Sequence, residues 1–158
     1  MSTNPHDHTA TSSLLDVTDP AGVSLDDLHA MLRSGVRGVP AEELAVELLI
    51  NHDHWLYRRD FLTRCVVIAD RWLDWDVPPM AVIDWNAVVE AIAPGRSLQP
   101  GEGLTGSSSE IAVLTVAAGL AGKPSPHSLR ELLAPLDSTT GRVVREVFEL
   151  AISGEAKR

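Results

Sequence analysis

Apolar residues recur at helical spacing over most of this chain, and few stretches alternate as a strand would. A stripe of Leu25, Leu28, Met31 and Leu32 starts just after Ser24. The Ser24 hydroxyl can cap a helix while Asp27 takes the third helical position, and Gly35 ends the run. Pro40 opens a second helix, with Glu42 and Glu43 at its positive end and Leu44, Ala45, Leu48 and Leu49 facing a core. From Asp60 onward, Phe61, Leu62, Cys65, Val66, Ala69, Trp72 and Leu73 predict a third helix, closed by Pro78 and Pro79. Asp84 caps a short fourth helix carrying Trp85, Val88, Val89 and Ile92.

Residues 94–106 are rich in Gly and Pro and read as a loop. Ser107, with Glu110 three residues on, then makes the best capping box of the chain. The helix that follows, about 108–121, is apolar nearly all round, and a helix without a polar face belongs at the centre of a domain. A short helix near 128–134 leads into a last one at about 138–152. There Val143, Val144, Val147, Phe148 and Ala151 point inward, while Arg142/Glu146 and Arg145/Glu149 line the outer side. No alternating β-branched run is bounded by turn residues on both sides. The expected fold is all-α: a single-domain bundle of six or seven short helices around the central apolar helix. It spans residues 23–153, between a polar, acidic, mobile tail at 1–22 and a short C-terminal tail at 154–158.

Composition narrows the function classes. The 158 residues carry a net charge of −9, and residues 1–32 hold five acids without a single Lys or Arg. Such a field repels a polyanion, so direct nucleic-acid binding is not expected, whereas a basic protein would be attracted. Low basicity also ranks a helix-turn-helix regulator last, because no candidate recognition helix is basic. Cys65 is the only cysteine and sits in an apolar run, which suits a buried inert thiol and a reducing cytoplasm. The N-terminal residues read as no signal peptide, and the longest apolar stretch is too short for a bilayer.

Three motifs invite chemistry. Asn51-His52-Asp53-His54 holds a His-Asp doublet, and with His29 and Asp70 as outer ligands it would suit Zn²⁺ or another transition metal in a metal-dependent hydrolase. The competing reading is a polar helix end, where imidazole is favourable beside exposed carbonyls. Gly101, Gly103 and Gly106 match G-x-G-x-x-G, but they follow a Pro/Gly loop instead of a strand, and Glu102 would stand where phosphates should. Ser107-Ser108-Ser109 lacks a nucleophile elbow and is explained by capping. None of these calls for a cofactor. The remaining feature is acidic and Trp-rich: Asp70, Trp72, Asp74, Trp75 and Asp76, continuing to Asp84-Trp85. Trp flanked by carboxylates suits a recognition surface.

The aliphatic helix running into His52 is followed by Trp55-Leu56 and Arg59-Asp60-Phe61; further on, Ser107-Ser108-Ser109-Glu110 through Ala118 precedes Leu133 to Asp137. These two segments resemble a group of uncharacterised helical proteins from actinobacteria. The resemblance implies a single helical domain, supplies no activity, and speaks against Asp53 as a metal ligand, since Asp53 is not part of that group's pattern. The leading expectation is therefore a non-catalytic protein-interaction or regulatory module. Its docking surface would comprise Trp72, Asp74, Trp75, Asp76 and Trp85, its partner another protein of basic character. A homodimer sharing the apolar helix is a further alternative.

Overall fold

Side-chain caps open five of the helices, and each sits where a Ser or Asp precedes an apolar run. Ser24, Asp84, Ser107, Ser128 and Asp137 all accept a hydrogen bond from a backbone N–H of the first turn, satisfying donors that the helix itself leaves free. The computed structural model describes residues 19–69, 78–93 and 103–154. Its helices are α1 (Leu25–Gly35), α2 (Pro40–His52), α3 (Arg59–Cys65), α4 (Trp85–Ile92), α5 (Ser108–Leu120), α6 (Leu129–Leu133) and α7 (Ser138–Ser153). Short 3-10 turns lie at Pro20–Gly22 and Trp55–Tyr57. Most of the tail expected at 1–22 lies outside the described residues, but Pro20 is buried, so the packed fold already includes it. The protein is predominantly helical, as its periodicity predicts.

The third helix is the main correction. It stops at Cys65, and Val66–Ala69 continue as a strand, β1, which pairs antiparallel with β2 at Met80–Ile83. The register sets Val66 opposite Ile83, Val67 opposite Val82 and Ile68 opposite Ala81. Val66, Ile68, Ala81 and Ile83 point into the core, while the cross-strand pair Val67 and Val82 stays exposed. Three consecutive β-branched residues favour this pleated geometry, where helical packing would restrict their rotamers. Trp72 and Leu73, the expected end of that helix, lie outside the described residues.

Helix α1 lies against β2 so closely that an added Cβ at Gly35 would stand 2.1 Å from the Ala81 carbonyl oxygen. Gly35 does end α1, yet the left-handed backbone expected of a helix-ending glycine belongs to Gly38, at φ +85°. A bidentate Arg33–Glu47 pair ties α1 to α2 with contacts of 2.6 and 3.1 Å; it is exposed to water and so adds little stability.

Helix α5 fills the centre. All seven residues from Ala112 to Ala118 are buried, and α2, α4, α6 and α7 pack against it. Its one buried hydroxyl, on Thr115, donates to the Ile111 carbonyl at 2.8 Å, so no polar group there is stranded. Each large aliphatic side chain buried in this way contributes about 1.5–3 kcal/mol. A single hydrophobic core runs from Leu28 in α1 to Val147 in α7. Among the described residues no helix is long and apolar enough to cross a membrane.

Candidate functional site

Helix α2 ends at His52 because Asp53 takes the left-handed conformation, φ 56° and ψ 38°. Asp53 is the only non-glycine with positive φ among the described residues. This turn brings His54 back beside His52, with the ring centroids 5.8 Å apart. His54 Nδ1 then lies 3.5 Å from Glu110 Oε1, while Glu110 Oε2 accepts the Ser107 backbone N–H at 2.7 Å to close the capping box of α5. Trp55, fully buried, donates its indole N–H to the Glu110 carbonyl at 3.1 Å. Arg58 stacks over the Trp55 ring at 4.8 Å and bonds both the Asp60 carboxylate and the Thr105 carbonyl. Gly106 belongs to this corner: a Cβ there would meet Glu110 Oε2 at 2.9 Å and the Trp55 ring at 3.3 Å. Close packing thus explains the third glycine of the G-x-G-x-x-G pattern, while Gly101 lies outside the described residues.

Electrostatics favour the neutral ring of His52. Burial, reinforced by the neighbouring His54, lowers the pKa of His52 below the usual imidazole value. His52 Nδ1 and His54 Nε2 are both buried without a protein hydrogen-bond partner. Glu110 is held below the usual carboxylate range, chiefly by the Ser107 backbone N–H. An imidazole near a carboxylate can hold or pass a proton, but the nearby hydroxyls are committed. Ser107 Oγ accepts the Glu110 N–H, and Ser109 Oγ donates to Asp137 at 3.4 Å.

The residues proposed as metal ligands are not gathered here. The charges that act on His29 are those of Arg33, Asp26, Asp53 and Glu47, and those that act on His52 are those of His54, Glu110, Asp137 and Asp53. The Asp53 carboxylate beside Tyr57 raises its phenol above the usual value, and Asp70 lies outside the described residues. Among the described residues no three His, Cys, Asp or Glu side chains are placed to hold a metal ion. Cys65 is buried, and burial pushes its thiol up to about 12, so almost no thiolate exists at neutral pH.

Of the acidic Trp-rich surface, Trp72, Asp74, Trp75 and Asp76 lie outside the described residues. Trp85 is not a surface residue: it begins α4 at 4% exposure and packs into the core.

The exposed apolar surface lies elsewhere. Helix α6 is a single short turn-and-a-half with no buried residue, because its Ser128–Glu131 capping box fixes its start while the chain turns again at Ala134. It packs on α5, and between it and α7 lies a groove of about 380 Å³, lined by Leu133, Leu136, Gly141, Val144, Arg145 and Phe148. Leu129 (59%), Leu133 (40%) and Ile152 (85%) stand exposed on these two helices. Periodicity places Phe148 and Ala151 inward; in the structure Phe148 is half-buried at the groove and Ala151 is exposed. The outward ion pairs are as expected, Arg142–Glu146 at 3.6 Å and Arg145–Glu149 at 3.5 Å. The one local signal of this surface is Gly141, an unusual residue inside a helix. No protein-family model, curated protein or solved structure matches the chain.

Proposed function

We propose that this chain is a non-catalytic protein-interaction module, and that the groove between α6 and α7 seats an apolar helix face of a partner chain. The observation that supports this reading is the groove itself, with Leu129, Leu133 and Ile152 exposed on the two helices that form it. Exposed apolar side chains around a concave apolar floor are the usual setting for an amphipathic helix laid into a groove. The corner of His52, His54 and Glu110 is, in this reading, a structural junction that fixes α2 against α5.

Leu129 and Leu133 lie outside the core, so replacing them with Asp leaves the fold intact. Affinity purification from the native host compares the wild type with the Leu129→Asp/Leu133→Asp variant. A stoichiometric partner held by the wild type and lost by the variant is the expected result. Equal retention by a variant with an unchanged thermal melt would refute the groove as the docking surface.

A further inference from the structure

Four residues of α7 share one side of the helix: Gly141, Arg145, Phe148 and Ile152. Steps of four, three and four residues at 100° each keep them within an arc of about 60°. Ile152 is almost wholly exposed and Arg145 is exposed, while Phe148 is half-buried, packed against the core on one side and lining the groove on the other. We propose that the groove is occupied by a second copy of this chain, with α7 packed antiparallel against its own equivalent across a two-fold axis. The inference rests on the groove being a docking surface, and it names the occupant.

Self-complementarity carries the argument. The spacing four-three-four reads the same in both directions, so an antiparallel copy falls into register with itself about a point between positions 146 and 147. Gly141 then faces Ile152 of the second copy, the smallest residue against the most exposed large one. Arg145 faces Phe148 of the second copy, an arrangement that allows a guanidinium to stack on an aromatic ring. A C2 interface of this kind needs one patch that complements itself, and α7 has it.

Gly141 supplies an independent observation. A helix-interior glycine is less stable than alanine, so it calls for a reason. Its own chain gives none, because an added Cβ would meet only the Leu136 Cβ, at an ordinary 4.0 Å. The space above Gly141 is useful only to something arriving from outside.

Charge agrees. Within α7, Arg145 precedes Glu149, and Arg142 precedes Glu146, the weaker order for an i, i+4 pair. These pairs are solvent-exposed at 3.5 and 3.6 Å, so they re-form across an interface at little cost. In the antiparallel register Arg145 of one copy lies beside Glu149 of the other, twice by symmetry. A partner helix of uniform charge would gain at one end and lose at the other.

Sedimentation equilibrium of the purified full chain, over a wide concentration range, tests the proposal. The expected mass at high concentration is twice the 17.0 kDa of one chain, and Ile152→Asp returns it to one chain without changing the thermal melt of the monomer. Arg145→Glu and Glu149→Arg, each alone, set like charges across the axis and weaken self-association roughly tenfold or more. Their equimolar mixture regains it, because each copy then supplies the charge that the other lacks. A wild type that stays monomeric at every concentration overturns the proposal. So does a dimer indifferent to Ile152→Asp, or one in which the mixture shows no rescue. A monomeric wild type that still loses a host partner on Leu129→Asp/Leu133→Asp substitution would overturn the second copy alone and leave the groove as a docking surface.

Discussion

Replacing Gly35 with alanine tests how rigidly α1 is set on the sheet. The new methyl carbon would stand 2.1 Å from the Ala81 carbonyl oxygen and 3.2 Å from a Val82 methyl, well inside the 3.4–4 Å of ordinary contact. The nearest obstacle is backbone, held by its place in β2 opposite Ile68, so it cannot swing aside as a side chain would. Helix and strand must separate, and overpacking of this kind costs about 1–3 kcal/mol. Against that, alanine reduces the freedom of the unfolded chain, a gain of about 0.4–1 kcal/mol. The balance is a loss of about 1 kcal/mol, or roughly 2–4 °C in Tm for a domain of this size. Urea unfolding followed by circular dichroism measures it, and an unchanged m-value would show that the denatured state is not responsible. Gly119→Ala is the control: it lies near the end of α5 with nothing within 4 Å of its added Cβ, and it should be neutral or slightly stabilising. Gly35→Ala as stable as the wild type would refute the close approach of α1 to β2.

Three further outcomes follow from the site. Cys65 should resist an aromatic disulfide reagent at about pH 8, where a thiol near 12 is ionised to only about one part in ten thousand, and should react fully once denaturant is added; rapid labelling of the native protein would contradict its burial. Glu110 has its folded pKa depressed below 4.5, so its contribution is complete above that value and is lost as the pH falls through the lower folded value. Glu110→Gln keeps an acceptor for the capping box, and the stability gap between it and the wild type should close on acidification below 4.5. His52 is also depressed, from 6.5, so the stability tied to its neutral ring is complete above 6.5 and lost as the pH drops below it; His52→Gln should flatten the stability profile in that window, and an unaltered slope would show that the ring is hydrated.

How much of this was legible in the sequence depended on how local each determinant is. Ser24, Asp84 and Ser107 mark helix starts because a cap needs only a side chain and the N–H groups two or three residues ahead. The burial of α5 was equally plain, since an apolar helix has no face to give to water. Strand β1 was hidden because Cys65, Val66 and Ala69 satisfy the helical period while Val66 and Ile68 satisfy the strand period, and four residues are too few to decide. The corner at Glu110 joins residues more than fifty positions apart, through Trp55 and its bond to the Glu110 carbonyl, and no spacing rule reaches that far. Phe148 fits the inward stripe of α7 by angle; only the short reach of α6 leaves it at an open groove. Trp85, read as part of a surface, is drawn into the core because it stands at the first position of α4, where the Asp84 cap turns the chain inward.

The central position of α5 also orders events on the ribosome. Its covers α2 and α4 precede it in the chain, whereas α6 and α7 are synthesised afterwards. A nascent chain that has just released residue 120 therefore carries a largely apolar helix with part of its circumference bare. The bare part is closed only when the residues through Ser153 have emerged, about 33 codons later, a delay of roughly 2–7 s at ordinary elongation rates. During that interval the chain is a substrate for hydrophobic-binding chaperones, and a stall in the codons for 121–153 would be more harmful than one anywhere upstream of α5.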